Sequence, residues 1–191
     1  MKVSKAQAQA NRAHVVATAA TLFRERGYDG VGVADLMAAA GFTHGGFYKQ
    51  FRSKSDLMAE AAACGIAQTV ALSEGADIER FIQAYLSREH RDARATGCTV
   101  AALSGDAARQ PDAVRATFAA GIEDLLAALG AAKGAQGDAV ASRARYLDAL
   151  AHAVGAIVMS RACPDDAPLA DEILQACRDR ILASLHDAGA G

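Results

Sequence analysis

Tryptophan is absent from the 191 residues, proline occurs only at Pro111, Pro164 and Pro168, and aromatic residues make up 5% of the chain. So few aromatics, with few β-branched runs, argue against a β-sandwich or barrel. No proline falls in the first 110 residues, so helices can run there unbroken. Long uncharged stretches are missing as well. The longest, Leu36–Tyr48 and Ala61–Ser73, are 13 residues each, short of the roughly 20 that a membrane-spanning helix needs. The first residues carry Lys2, Lys5 and Arg12 but no apolar core, so they do not read as a secretory signal. The cysteines, Cys64, Cys98, Cys163 and Cys177, form no C-x-x-C pair. That spacing supports neither a disulfide framework nor a zinc site, and the expected setting is the cytoplasm. Phosphate loops, nucleophile elbows and metal-ligand spacings are missing too, so neither a cofactor nor an enzyme is expected.

What the chain has in abundance is alanine: 48 residues, a quarter of the total. Alanine is the strongest helix former and lets helices approach closely, and the composition reads as all-α. Charge is divided unevenly. Residues 1–60 hold eight Lys/Arg against five acids, and residues 61–191 hold 12 against 17. A basic head on an acidic body suits a head that meets phosphate.

Apolar periodicity and caps predict about nine helices. The first runs over Lys5–Arg26 with Gly27 as its stop, and a barely two-turn helix, Val33–Ala40, ends at Gly41. Thr43 is placed to cap a second short helix, His44–Phe51, and Ser53 to cap a longer one towards Leu72, with Asp56 completing a capping box. Asp77–Arg91 reads as one amphipathic helix. Cys98–Ala108, Pro111–Leu129, Asp138–Arg161 and Leu169–Leu185 follow, with Gly130–Gly137 as a loop between the second and third of these.

Two short helices joined by a glycine turn suggest a helix-turn-helix. Leu36, Ala40, Phe47 and Phe51 would share the core, with Phe42 between the helices. Thr43, His44, Gly46, Tyr48, Lys49 and Gln50 would face outward, an array of donors, acceptors and a cation suited to the major groove.

The segment VADLMAAAGFTHGGFYKQFRSKSDL (33–57), together with Ala19–Val31 before it, resembles the DNA-binding domain of the TetR/AcrR family of transcriptional regulators. The resemblance covers about residues 10–65. Met37 departs from it where Ala is usual, Gly46 where Ser or Thr is common, and Gln50 where an aromatic or His is common. The resemblance implies a helix-turn-helix domain at 1–52 and a larger helical ligand-binding and dimerisation domain at 53–191. It also implies a homodimeric regulator, in most members a repressor, released from a double-stranded DNA operator by a small-molecule effector. Thr43, His44 and Gly46 would then face the groove, Tyr48 and Lys54 would grip phosphates, and Lys49 could do either.

In the body the expected effector pocket comprises Phe81, Tyr85, Cys98, Phe118, Tyr146 and His152. The expected dimer interface comprises Leu150, Val154, Ile157, Ile173, Cys177 and Ile181 on the last two helices. Cys98, at a helix start, also offers an alternative: a regulator that senses oxidants or electrophiles through its thiol.

Overall fold

The computed structural model describes residues 4–131 and 139–187. Most of the expected loop Gly130–Gly137 therefore lies outside the described residues. Among the described residues there are nine α-helices and one 3₁₀ helix, and no strand. They are α1 (Lys5–Arg26), α2 (Val33–Ala39), the 3₁₀ helix His44–Lys49, α3 (Lys54–Ser73), α4 (Ile78–Tyr85), α5 (Arg88–Asp92), α6 (Thr99–Ala107), α7 (Asp112–Gly130), α8 (Ala139–Ala162) and α9 (Pro168–Asp187).

Local chemistry accounts for most of these limits. The Ser4 hydroxyl accepts the Gln7 N–H at the start of α1, and at its end the Gly27 N–H donates to the Phe23 carbonyl. Ser53 Oγ accepts the Asp56 N–H at 3.1 Å, half of the expected box, while the Asp56 carboxylate turns to Arg52 at 2.8 Å. The single helix expected over Asp77–Arg91 is two. Asp77 caps α4 through the N–H groups of Glu79 and Arg80. Ser87 then caps α5, its hydroxyl accepting the His90 N–H at 3.2 Å and donating to the Ala84 carbonyl at 2.7 Å. A hydroxyl that competes for backbone groups breaks the helix where apolar periodicity runs on.

The chain forms two compact units, Met1–Gln68 with Cys98–Gly121, and Thr69–Gly97 with Ile122–Gly191. The first unit thus takes in α6 and the first half of α7 together with α1, α2, the 3₁₀ helix and most of α3.

In the first unit, Val15, Ala19 and Phe23 of α1 are buried with Leu36, Met37, Phe47, Phe51, Leu57 and Met58. Two side-chain ties join α6 to α1 and to the turn that follows it. The buried Arg24 guanidinium donates to Thr99 Oγ1 and to Gln68 Oε1, each at 3.3 Å, and Asp106 Oδ2 accepts the Tyr28 N–H at 3.0 Å. The first tie requires glycine at position 65, where a Cβ would lie 2.2 Å from Thr99 Oγ1 and 2.5 Å from Arg24 Nη1. Burial lowers the Arg24 pKa, an effect opposed by the neighbouring Cys64 and Cys98.

In the second unit α8 and α9 form an antiparallel hairpin, with Ala149, Ala153, Ala156 and Ile157 buried on one helix and Ala170, Leu174 and Ile181 on the other. Its closed end is held by Arg91, 1% exposed. Arg91 donates to Ser160 Oγ at 3.0 Å, to the Ser160 and Cys163 carbonyls at 3.1 Å, and to Asp165 at 2.9 Å. A buried guanidinium so fully bonded ties α5 to the α8–α9 turn.

Candidate nucleic-acid interface and effector cavity

The turn after α2 is a Schellman motif. Gly41, at φ +78°, donates its N–H to the Ala38 carbonyl, and the Phe42 N–H donates to the Met37 carbonyl at 2.8 Å. Positive φ is the reason glycine stands there. Phe42 is half-buried and meets His14 edge-on, their centroids 6.4 Å apart.

The segment that follows is shorter and more tightly wound than expected. It is the 3₁₀ helix His44–Lys49 rather than an α-helix to Phe51, and the Thr43 side chain makes no capping bond. Gly45 and Gly46 account for this, since glycine weakens an α-helix by about 1 kcal/mol per residue. Beneath the segment Phe47 and Phe51 are stacked at 5.4 Å and almost fully buried. Above them Thr43, His44, Tyr48 and Lys49 are exposed and Gly46 is half-buried.

Tyr48 is 66% exposed. Its ring is steadied edge-on by Phe47 at 5.2 Å and by His44 at 5.9 Å. A Cβ on Gly46 would rest 3.5 Å from Met37 Cε, so the two departures from the family pattern lie against each other.

Lys54 is placed differently. Its ammonium donates to the Tyr28 carbonyl at 2.5 Å and lies 5.9 Å from the Phe23 ring centre, in a half-buried position at the start of α3. A flexible cation finds the carbonyl just past the end of α1, where the helix dipole favours positive charge. Two arginines that the sequence did not single out stand nearby in the fold. The Arg52 side chain is 92% exposed beside Asp56, and Arg12 reaches the end of the 3₁₀ segment. No local pattern marks Arg12, whose partners are 38 and 48 residues away.

The second unit contains a small cavity of about 20 Å³, lined by Ile78, Phe81, Ile82, Tyr85, Leu129, Tyr146, Ala149, Leu150, Ala153 and Leu185. Of the six expected pocket residues, Phe81, Tyr85 and Tyr146 meet there. Cys98 and Phe118 are buried in the first unit, and His152 is half-buried on α8 outside the lining. Phe118 shares a face of α7 with Leu129, but it lies three turns, about 16 Å, along the axis.

Behind Tyr85 stands His90, ring centroids 4.5 Å apart, with its Nδ1–H donating to the Tyr85 carbonyl at 2.6 Å. Burial lowers the His90 pKa against that hydrogen bond, and Arg161 lowers it further.

The expected dimer residues also divide. Ile157 and Ile181 are 0% and 2% exposed, closed within their own chain, and Leu150 lines the cavity. Val154, Ile173 and Cys177 are half-buried. The large apolar residues that the hairpin exposes are Leu147, Val158 and Met159 on α8 and Leu169 on α9. The apolar residues of α8 and α9 cover two stripes each, and periodicity does not say which one turns inward.

Among the described residues no group of His, Cys, Asp and Glu could hold a metal ion, and no helix is long and apolar enough to cross a membrane.

Residues 15–61 match the family model described as bacterial regulatory proteins, tetR family. An uncharacterized HTH-type transcriptional regulator of Mycobacterium tuberculosis is 30% identical, covering 94% of this chain and 98% of its own length. The regulator AcrR of Shigella flexneri is 37% identical over 57 residues, 30% of this chain and 26% of its own. Among solved structures, reduced Escherichia coli NemR superposes with a TM-score of 0.69 at 20% identity, over 90% of this chain and 95% of that one. A tetR-family regulator from Streptomyces coelicolor gives 0.72 at 17% identity, over 95% and 83%. With its glycine-turned pair of short helices at 33–49 and its full-length likeness to a helix-turn-helix regulator, the chain belongs to the TetR family of bacterial transcriptional regulators.

Proposed function

We propose that this regulator is a homodimeric repressor whose 3₁₀ segment enters the major groove and whose hold on an operator is released by a small molecule bound in its body. The observation that carries the reading is the ridge of Thr43, His44, Tyr48 and Lys49 exposed above a buried floor of Phe47 and Phe51. Side chains fixed from below and free above can meet base edges and phosphates without reordering. Thr43, His44 and Gly46 face the bases and Tyr48 and Lys49 the backbone. Lys54 joins the phosphate contacts only by leaving the Tyr28 carbonyl.

Two copies paired through the outer apolar face of α8 and α9 would address two half-sites about one DNA turn apart. The effector, an apolar molecule by the character of the cavity walls, would enter against Phe81, Tyr85 and Tyr146. At about 20 Å³ the cavity must widen to admit it, and that widening is the source of coupling: effector and operator then oppose each other reciprocally. The site of action is the cytoplasm, where the DNA is.

The test is fluorescence anisotropy on a DNA duplex selected by the protein from a random-sequence pool, read across a salt series. Tyr48→Ala/Lys49→Ala should bind more weakly, with its log–log salt slope flattened by about 0.9 for each phosphate no longer neutralised. Unchanged affinity and slope would remove the segment from the interface.

The thiol-sensing alternative draws support from Cys98, the residue that precedes α6, and from the neighbouring Arg24 cation. Cys98 is 3% exposed, so a reagent reaches it only if α6 opens. Loss of an oxidant or electrophile response in Cys98→Ala, with operator affinity kept, would favour that alternative.

A further inference from the structure

We infer that Arg12, which lies outside the DNA-contact set, is the positioning residue of the reading segment, and that its pairing with Glu60 sets the tilt of that segment against α3. The inference rests on the reading of Thr43–Lys49 as the groove-facing element. A six-residue helix with two glycines cannot hold its own shape, so its orientation must come from what grips its ends and its floor. The Schellman bonds at Gly41 and Phe42 grip the first end, and Phe47 and Phe51 form the floor.

At the far end the Gln50 N–H is spent on Phe47, and Gln50 Oε1 is buried with no hydrogen-bond partner among the described residues. What fastens that end is Arg12. Its Nε donates to the Gln50 carbonyl at 3.3 Å, and its guanidinium lies 4.6 Å over the Phe51 ring. Both Nη groups donate to the two carboxylate oxygens of Glu60 on α3.

One rigid planar fork therefore touches α1, the end of the reading segment and α3, and the position of Glu60 is transmitted to the Gln50 carbonyl. A lysine ammonium, a point charge without a plane, cannot make these contacts together. The Glu60 hydrogen bond is also the main reason that the Arg12 pKa is raised, and a guanidinium is charged at any pH at which DNA binding is read.

The experiment compares affinity for the selected duplex with affinity for an unrelated duplex of equal length, alongside thermal stability. Its variants are Arg12→Lys, the exchange Arg12→Glu/Glu60→Arg, and Thr43→Ala/His44→Ala. Arg12→Lys should stay folded yet lose roughly tenfold of the selected-to-unrelated ratio, the scale of a mismatched base pair. The exchange should regain thermal stability, because opposite charges again face each other. It should not regain the ratio, because a carboxylate at position 12 can neither donate to Gln50 nor stack on Phe51.

A ratio within twofold of wild type in Arg12→Lys, or one restored together with stability in the exchange, would reduce the pair to a structural tie and overturn the inference. Thr43→Ala/His44→Ala, which removes the base-facing side chains, separates the two readings. If it keeps the wild-type ratio, the groove-facing role of the segment fails and the inference falls with it. If it loses the ratio, the Arg12 variants decide.

Discussion

Two exposed surfaces among the described residues differ in kind. Over residues 43–49 the exposed side chains are polar or cationic and stand on an aromatic floor, whereas α8 and α9 expose Leu147, Val158, Met159 and Leu169 above an alanine-rich interior. A polar ridge remains solvated until it meets phosphates and base edges. An apolar face gains most by meeting another like itself. The contrast is what supports the partners proposed above, nucleic acid for one region and a second copy of the chain for the other. It also shows why the motif lies in the head: a groove has fixed chemistry, whereas an apolar face can be built from many sequences.

The sharpest way to break the contrast is to charge the apolar face. Leu147→Glu/Val158→Glu should weaken dimerisation by about a hundredfold or more by analytical ultracentrifugation, and operator affinity should fall with it. A variant that still sediments as a dimer would place the interface elsewhere.

Next in size is Arg91→Ala, which removes the guanidinium from Ser160 Oγ and the Cys163 carbonyl and leaves the Ser160 carbonyl with the Cys163 N–H at 3.2 Å. It should cost about 3 kcal/mol in urea unfolding. A decrease below about 1 kcal/mol would mean that water replaces the guanidinium.

Gly65→Ala strikes the first unit, forcing Thr99 and Arg24 away from α3. It should cost about 1–3 kcal/mol, and a neutral result would show that α6 gives way freely.

A smaller effect concerns pH. Burial holds the His90 pKa below its ordinary value, so the unfolded chain takes up this proton first as pH falls. The stability contributed by neutral His90 is complete above the unfolded pKa of about 6.5 and is lost as pH drops from there towards the lowered folded value. Melting temperature should decline by a few degrees between pH 7.5 and 5.5, and His90→Gln should flatten that part of the decline; an identical profile in the variant would assign the effect elsewhere. The smallest change is expected from Gly46→Ala, whose methyl would find Met37 Cε at an ordinary 3.5 Å. It should raise stability by up to about 1 kcal/mol, and a fall in stability would show that the segment depends on the freedom of glycine.

Local features carried their own evidence. The start and end of α1, the stop at Gly41, the cap at Ser53 and the burial of Leu36, Phe47 and Phe51 all stand where the residues imply. Caps, turns and helical spacing act over a few residues, and a reader of the chain meets them together. The break at Ser87 went unread because one hydroxyl outweighed an unbroken apolar stripe. The tight winding of His44–Lys49 was foreshadowed only by its two glycines.

What the amino acids determined unaided is therefore the helical class, the ends of α1 and α2 and the outward chemistry of the 43–49 ridge, because backbone propensity and side-chain period are properties of neighbours in the chain. Folding in three dimensions decided the rest. It turned Lys54 to the Tyr28 carbonyl, brought Tyr146 to Phe81 and Tyr85 while leaving Phe118 three turns away, and turned Ile157 and Ile181 inward and Leu147 and Val158 outward. It also placed Arg12 against Gln50, Phe51 and Glu60. Each of these depends on contacts between residues far apart in sequence, and burial and partnership at that distance are set only when the helices pack.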